Sequence, residues 1–350
     1  MVGLRQDCER VHSVLADTSA FRKLEGSTIF ISGGTGFVGS WVCHYLHYLK
    51  TQHNLNFRIY VQGRERAKFD ERISILSDLD VSFIRCDIKS LSELPREVNY
   101  VIHAAGSPDS RYHASNPIET MADIAEGTRA VLRAADRVSN LRMVVHLSSG
   151  SVYGTQPDEI ETINENHALA RIPLDSLKSA YTEGKRYAEV LCSAARSESR
   201  LPIVILRPFT FIGPFQSLDS PWAINNFIND GLRGRPIRIL GDGRAIRGFL
   251  YGADAAAWVV KVLLDGKSGQ IYNVGNVKGE SLLEIANAVA GNFSPKPEIQ
   301  LNSSLVQNVS QTRYLPDCSR ILADHGLRAI TPLGVAVRRT IEWFKTGGGN

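Results

Sequence analysis

Short apolar runs alternate with longer amphipathic stretches along most of the chain, beginning near Ser27. The apolar runs are almost continuous, as in strands that are buried on both faces, and the longer stretches repeat apolar positions at helical spacing. The runs that predict strands are STIFISGG, FRIYVQG, VSFIRCD, NYVIHAAG, LRMVVHLSSG and PIVILRPFTFIGP, the last as one strand followed by a turn. This alternation predicts an α/β fold with a doubly wound parallel sheet.

The same pattern predicts four consecutive parts. Spacers lengthen and proline becomes more frequent after the last strong strand, which indicates a smaller, loop-rich lobe that binds substrate and returns a strand or two to the sheet. An N-terminal extension, a sheet domain, a C-terminal lobe and a tail occupy residues 1–26, 27–208, 209–345 and 346–350. In the extension, Val11, Val14 and Leu15 could form one face of a short helix that packs on the main body or contacts another subunit.

Composition and charge exclude several classes of protein. Hydrophobic residues make up 43% of the 350 residues and charged residues 22%, which is ordinary for a folded globule. The formal net charge of +4 comes without runs of like charge and argues against a nucleic-acid partner. We expect no membrane partner and no secretory leader, because neither a long apolar run nor a leader pattern is present.

The five cysteines are scattered and have no C-x-x-C spacing; they are Cys8, Cys43, Cys86, Cys192 and Cys318. An odd, dispersed set does not suggest a disulfide framework or a metal site. We therefore expect a protein of the reducing cytoplasm, with no structural metal.

A glycine-rich turn follows the first predicted strand. Gly33, Gly36 and Gly39 have the spacing G-x-x-G-x-x-G, and a predicted helix begins immediately afterwards. Glycine lets the backbone turn tightly and leaves room for a pyrophosphate at the helix N-terminus, whose free N–H groups favour an anion. Glycines that serve packing alone are the alternative. The order strand, turn, helix favours a Rossmann-type site for a dinucleotide.

The second strand ends without the acid that usually binds the adenosine ribose. Gln62 and Gly63 stand there, followed by Arg64 and Arg66. A guanidinium matches the geometry of a phosphate, so the sequence predicts NADP, with NAD as the second possibility. The alternative is that the arginines are solvated and Glu65 supplies the ribose contact.

A tyrosine and a lysine stand four residues apart on a predicted helix, in SAYTEGKRYAE. The ammonium of Lys185 would lower the pKa of Tyr181 toward the range in which a phenol exchanges protons at neutral pH, and it could also bond the nicotinamide ribose. An exposed helical pair is the alternative interpretation. Ser148, Ser149 and Ser151 follow an earlier strand, at the sheet edge where open α/β folds bind ligands. A hydroxyl there could hold a substrate oxygen or simply cap the strand end.

Taken in order, these segments resemble the extended short-chain dehydrogenase/reductase family of nucleotide-sugar epimerases, dehydratases and ketoreductases. The resemblance extends from about residue 27 to residue 345. It rests on GGTGFVGS, CDI, HAAG, SSGSVYG, YTEGK, LRPFTFIGP, GDGRAIRGFLYGAD, YNVG and PDCSRILADHGLRAITPLGVAVRRTIEWF. It implies that Ser149 is the catalytic hydroxyl, Tyr181 the base or acid and Lys185 its electrostatic partner.

The residues and the resemblance together predict the binding residues. Those for the cofactor are Gly33, Thr35, Gly36, Phe37, Val38, Arg64, Asp87, Ile88, Ala104, Ala105, Gly106, Tyr181, Lys185 and Pro208. Those for a nucleoside diphosphate sugar are Ser149, Ser151, Asn225, Asn226, Arg247 and Arg313. Both arginines would hold the diphosphate. Alternatively, Asp87 only begins a helix and Arg313 is a solvated loop residue. The family also implies a homodimer.

Two positions depart from the pattern of the dehydratases. Those enzymes carry Asp-Glu directly after the catalytic hydroxyl, where this chain has Gly150 and Ser151, and the glucuronate decarboxylases also place Glu at the second position. Elimination therefore lacks its carboxylates. We expect hydride transfer, most simply by an NDP-4-keto-6-deoxysugar reductase. A 4-epimerase with tightly bound NAD(P) is the alternative, ahead of a dehydratase, a decarboxylase or a non-catalytic NAD(P)-binding protein.

Overall fold

The computed structural model describes residues 2–301 and 313–347, which form fourteen strands and eleven α-helices. The strands are β1 Thr28–Ser32, β2 Arg58–Gly63, β3 Asp80–Arg85, β4 Tyr100–His103, β5 Met143–Leu147, β6 Ile203–Pro208, β7 Thr210–Ile212, β8 Ile237–Ile239, β9 Ile246–Arg247, β10 Phe249–Tyr251, β11 Ile271–Val274, β12 Glu280–Ser281, β13 Ile299–Leu301 and β14 Arg313–Tyr314. The helices are α1 Val2–His12, α2 Phe37–His53, α3 Arg66–Arg72, α4 Ser110–Ser115, α5 Pro117–Asp136, α6 Ser179–Ser199, α7 Ala223–Leu232, α8 Gly252–Asp265, α9 Leu282–Ala290, α10 Ser319–His325 and α11 Leu333–Lys345.

Seven parallel strands form the main sheet, in the order β3–β2–β1–β4–β5–β6–β11. The chain reverses its direction of winding between β1 and β4, and doubly wound sheets bind ligands at the carboxyl ends of the strands beside such a point. The predicted α/β fold with a doubly wound parallel sheet is confirmed. β11 joins the sheet from the C-terminal part of the chain, while the division at residue 208 stays a prediction.

Helices cover the main sheet on both faces. Alternate residues of each strand point to opposite faces, so the apolar side chains of one strand pack against both helix layers. Met143, Val145 and Leu147 of β5 pack in one apolar cluster with residues of α2 and α8. Val144 packs in a second cluster with residues of α5 and α6. The helix layer formed by α5 and α6 therefore packs against β5, the strand whose carboxyl end leads to Ser149.

The segment PIVILRPFTFIGP forms two strands, so its interpretation as one strand was wrong. β6 belongs to the main sheet, whereas β7 pairs in parallel with β10. Pro208, at the end of β6, has no N–H with which to continue a strand ladder. The remaining short strands form the sheets β12–β9–β14 and β13–β8.

The N-terminal extension packs on the main body through α1. Cys8 and Val11 are buried in the cluster that includes α2 and α8, and the Tyr251 hydroxyl donates to the Asp7 carboxylate at 2.8 Å. The helix ends at His12, so Val14 lies beyond it and half of its surface is exposed.

In the described ranges, no helix is both long and apolar enough to cross a membrane. Residues 348–350 of the predicted tail lie outside the described residues.

Candidate active site

The glycine turn joins β1 to α2 and has no space for a Cβ at Gly33, Gly34 or Gly39. Gly33 has φ +64°, and a Cβ there would lie 2.7 Å from the Cα of Ala105, in the loop after β4. A Cβ on Gly39 would lie 2.4 Å from the Cα of Gly34. Gly36 precedes the first turn of α2, whose N–H groups lack partners within the helix and can bind an anion. These residues fit the pyrophosphate of a dinucleotide.

Gln62 connects the loops around this turn. Its side-chain oxygen accepts from the N–H of Gly33 at 3.1 Å, and its amide donates to the carbonyl of Cys86 at 2.7 Å. Arg64, two residues later, is exposed, and Glu65 pairs with Lys68 at 2.7 Å. Because Gln62 is committed to backbone groups, Arg64 and Glu65 are the side chains left at this strand end for the adenosine ribose.

Two further predicted cofactor residues already have partners within the protein. The Asp87 carboxylate accepts from the N–H of Lys89 at 2.9 Å and caps a short 3₁₀ turn. The side chain of Ile88 packs on α5, 2.9 Å from where a Cβ of Gly127 would lie. Asp87 therefore begins a 3₁₀ turn, and its contact with the cofactor stays a prediction. Pro208 is half-buried at the carboxyl end of β6.

The three predicted catalytic residues come together at the carboxyl end of β5. Lys185 is buried, and its ammonium donates to the carbonyl of Leu147 at 2.9 Å and lies 5.9 Å from the centre of the Tyr181 ring. Burial lowers the pKa of Lys185 to about 8, although the nearby Glu189 carboxylate opposes this. Burial raises the pKa of Tyr181, and a hydrogen bond from Ser149 lowers it in part. The arrangement can exchange a proton with a substrate hydroxyl.

A buried polar network lies behind the catalytic lysine. Glu189 binds the guanidinium of Arg207 through two hydrogen bonds, at 2.9 and 2.7 Å, and accepts from the Ser148 hydroxyl at 2.6 Å. Arg207 also donates to the Tyr153 hydroxyl at 2.8 Å. Ser148 is therefore engaged away from the substrate, which leaves Ser149 as the serine that interacts with Tyr181.

Tyr314 is a site residue that the sequence analysis missed. β14 pairs with β9, and Tyr314 lies opposite Arg247. Its hydroxyl lies 2.5 Å from where a Cβ of Gly150 would stand, and it is hydrogen-bonded with Ser149. Burial raises the pKa of Tyr314, so it stays a neutral phenol. Its place beside Arg313 in the sequence was the available signal.

The predicted substrate residues differ in their surroundings. Arg247 and Arg313 lie on the adjacent strands β9 and β14 and are half-buried, and burial lowers the pKa of Arg247. The amide of Asn225 is buried and donates to the carbonyl of Ser217 at 2.9 Å, whereas Asn226 is exposed.

Ser151 is another of the predicted substrate residues. Its hydroxyl oxygen is buried and has no hydrogen-bond partner within residues 2–301 and 313–347. A buried hydroxyl of this kind is available to a ligand.

Residues 29–275 match the NAD dependent epimerase/dehydratase family. The chain is 25% identical over 325 residues to the trifunctional UDP-glucose 4,6-dehydratase/UDP-4-keto-6-deoxy-D-glucose 3,5-epimerase/UDP-4-keto-L-rhamnose-reductase of Arabidopsis thaliana, covering 90% of this chain and 47% of that protein. It thus spans about half the length of that curated relative. The dTDP-glucose 4,6-dehydratase of Salmonella typhimurium is 25% identical, with coverage of 90% and 92%.

A solved structure shows the same architecture over nearly the whole chain. The UDP-glucuronic acid 4-epimerase of Bacillus cereus, in complex with UDP-glucuronic acid and NAD, superimposes with a TM-score of 0.77 at 26% identity. The match covers 91% of this chain and 99% of that one. The chain belongs to the NAD dependent epimerase/dehydratase family. It is an enzyme of the extended short-chain dehydrogenase/reductase class, and the relatives named above act on nucleotide sugars.

Proposed function

We propose that this enzyme transfers a hydride at C4 of a nucleoside diphosphate hexose without eliminating water or carbon dioxide. The surroundings of Gly150 carry the proposal. A Cβ there would lie 2.5 Å from the Tyr314 hydroxyl and 2.8 Å from the ring of Phe209, so an aspartate would require both rings to move. Ser151 offers a hydroxyl in place of the second carboxylate. Because neither position supplies a carboxylate for elimination, the site favours oxidation and reduction at a sugar carbon that already bears oxygen.

In this proposal Tyr181 removes the proton of the C4 hydroxyl during oxidation and returns it to the carbonyl oxygen during reduction. Ser149 holds the same oxygen, and its hydrogen bond lowers the pKa of the tyrosine in part, against the effect of burial. The Lys185 ammonium, 5.9 Å from the centre of the ring, would add to this lowering. The bound dinucleotide supplies the hydride acceptor and donor, held by the glycine turn. Arg247 and Arg313 hold the diphosphate, which fixes the sugar relative to Tyr181.

The preferred net reaction is the reduction of a 4-keto-6-deoxy nucleotide sugar by NADPH. The exposed Arg64, and the pairing of the neighbouring Glu65 with Lys68 at 2.7 Å, support NADP as the cofactor. The second candidate is 4-epimerisation with a retained NAD(P). Similarity to the UDP-glucuronic acid 4-epimerase of Bacillus cereus favours that reaction.

Product analysis with the purified enzyme tests both candidates. Stoichiometric oxidation of NADPH by UDP- or dTDP-4-keto-6-deoxyglucose identifies a reductase. Formation of the 4-epimer of UDP-glucose or UDP-glucuronic acid, with no net change in NAD(P)H, identifies an epimerase. Release of water or carbon dioxide from the sugar would refute the proposed class of reaction.

Tyr181→Phe tests the proton transfer. We expect kcat to fall by about 10²- to 10⁴-fold, which is the usual contribution of a general acid–base group. Tyr60→Phe removes a hydroxyl that bonds Glu97 at the surface and serves as the control. An unchanged kcat in the Tyr181 variant would remove the tyrosine from the mechanism.

We also infer that the enzyme is a homodimer. Apolar side chains are exposed on α5, on α6 and in the segment before α6, namely Ile118, Met121, Leu174, Leu177, Tyr187 and Val190. Such a patch favours a protein partner, and a second copy of the chain would present the same helices. Sedimentation should give a dimer for the natural chain and a monomer for Val190→Glu. A monomeric natural chain would contradict the inference.

A further inference from the structure

His113 lies against the ring of Tyr181. The two ring centres are 4.2 Å apart and the ring planes differ by 10°, so the imidazole and the phenol stack face to face. His113 is 6% exposed. The sequence analysis did not identify it, since it belongs to the short helix α4 and to none of the motifs.

A hydrogen bond fixes the histidine ring in place. Its Nε2 lies 2.8 Å from the carbonyl oxygen of Ser107. A carbonyl can only accept, so Nε2 carries the proton and donates. Ser107 directly follows Gly106, at the end of the loop that the family resemblance assigns to the cofactor. The imidazole thus connects this loop to the catalytic ring.

Short-range bonds also hold the backbone of α4. The Asp109 carboxylate accepts from the N–H of Arg111 at 2.9 Å, and the N–H of His113 donates to the carbonyl of Asp109 at 3.1 Å. Burial lowers the pKa of His113. The bond to the Ser107 carbonyl and the charge of Asp109 oppose this effect, and the charge of Lys185 adds to it. The ring that faces Tyr181 is therefore a neutral, rigid plane at neutral pH.

We propose that His113 is a positioning residue that holds the phenol ring of Tyr181 in the plane from which its hydroxyl reaches Ser149. The proposal rests on the proposed function of Tyr181 as the proton-transfer group. Tyr181 is the third residue of α6 and is only half-buried, so one open ring face would leave the phenol free to tilt. An aromatic stack contributes modestly to stability, but a misplaced reacting group lowers the rate strongly.

Three variants separate the flat face of the histidine from its volume and its hydrogen bond. His113→Phe keeps the face and loses the bond, and we expect kcat to stay within about 3-fold of the natural value, the cost of one neutral hydrogen bond. His113→Leu fills the space without a flat face, and His113→Gln keeps a donor for Ser107 without one. For both we expect kcat to fall by about 10- to 100-fold. The KM for the nucleotide sugar and the Kd for the cofactor should change by less than about 2-fold, because neither ligand loses a contact.

His53→Leu provides the matched control. His53 ends α2, a helix whose first turn lies at the glycine turn about 25 Å away at 1.5 Å per residue. Equal kcat values for the Phe, Leu and Gln variants would overturn the proposal, since packing volume alone would then explain the result. Losses confined to KM would overturn it as well. Should the Leu variant fail to fold, the comparison of Gln with Phe still decides.

A second measurement distinguishes failure of this proposal from failure of the proposed function. The tyrosinate absorbance of the folded protein, minus that of its Tyr181→Phe variant, reports the titration of Tyr181 alone and requires no turnover. Because the bond from Ser149 lowers the pKa of Tyr181, loss of the correct placement in the Leu and Gln variants should raise that pKa. The Phe variant should leave it unchanged. An unchanged or lowered pKa in the Leu and Gln variants would overturn the positioning role even in a protein that turns over no sugar.

Discussion

The glycine turn after β1 and the small sheet formed by β9, β12 and β14 would form the two binding sites that we propose in different ways. At the turn the backbone itself forms the site, and a single Cβ on Gly33 would collide with the loop after β4. In the small sheet the proposed contacts come from side chains, and Arg247 and Tyr314 lie opposite each other on strands of two residues each. A site formed by backbone suits the cofactor pyrophosphate, which does not vary. A site formed by side chains can change with the substrate.

Gly33→Ala should give the largest effect, because it acts on the region where the backbone forms the site. The added Cβ meets the Ala105 backbone at 2.7 Å, and the cofactor Kd should rise roughly 1,000-fold, about 4 kcal/mol, in a calorimetric titration. Gly234→Ala is the control: Gly234 has the same φ of +64° with nothing within 4 Å of a Cβ. That variant should lose about 1–2 kcal/mol of stability and no cofactor affinity. If Gly33→Ala bound the cofactor as tightly as the natural enzyme, the backbone of the turn would not form the cofactor site.

Lys185 lies at the carboxyl end of β5, apart from both regions, where its ammonium donates to the carbonyl of Leu147. Its titration gives a pH prediction. Its pKa is about 8 in the folded protein against an ordinary value of 10.5, so between these values the unfolded chain holds a proton that the folded lysine has lost. The contribution of this group to the free energy of unfolding therefore rises with pH across that window. Relative to the natural enzyme, Lys185→Met should be more stable below pH 8, by about 3 kcal/mol at most, with a gap that closes toward pH 10.5.

Denaturant unfolding at several pH values measures this gap. Lys178→Met, an exposed lysine just before the same helix, controls for the loss of one positive charge. A gap that stays constant with pH would contradict the burial of a charged lysine in the folded enzyme.

Arg247→Ala should affect only the second region. Loss of a charge-assisted hydrogen bond should raise the Kd for the nucleoside diphosphate sugar by about 10- to 100-fold and leave the Kd for NAD(P) unchanged. The matched control is Arg244→Ala, in the same segment, whose side chain is 89% exposed. If both arginine variants bind the sugar nucleotide equally well, the small sheet does not hold the diphosphate.

The smallest expected effect belongs to Arg64→Ala. We expect the Kd for NADP to rise about 10-fold while that for NAD changes by less than about 2-fold, because a surface guanidinium contributes about 1 kcal/mol to a phosphate contact. Arg66→Ala, which removes a side chain already paired with Asp70 at 2.8 Å, should leave both unchanged. Equal weakening of NAD and NADP by Arg64→Ala would refute a contact with the 2′-phosphate.

The sequence predicted the main sheet and the glycine turn because their signals are local: an apolar strand, a fixed glycine spacing and a helix occur in one stretch of chain. Tyr181 and Lys185 were accessible for the same reason, since four residues place them on one helical face. His113 was not accessible, because it acts on a residue far away in the sequence, and the only signal for Tyr314 was its place beside Arg313. The sequence analysis noted only that Gln62 stands where an acid is usual. It could not predict the bonds of Gln62 to Gly33 and Cys86, because these depend on the tertiary structure.

The crowding around Gly150 has a consequence for how such enzymes diverge. An aspartate introduced there alone would meet Phe209 and Tyr314 before it could help to expel water from a sugar. An evolutionary path to a dehydratase would therefore require these rings to move or to be replaced, and the order of the mutations would decide whether the intermediates keep activity. The effect of a substitution at Gly150 therefore depends on the residues at 209 and 314. Replacing Gly150 and Ser151 alone with the dehydratase residues should not give the enzyme dehydratase activity.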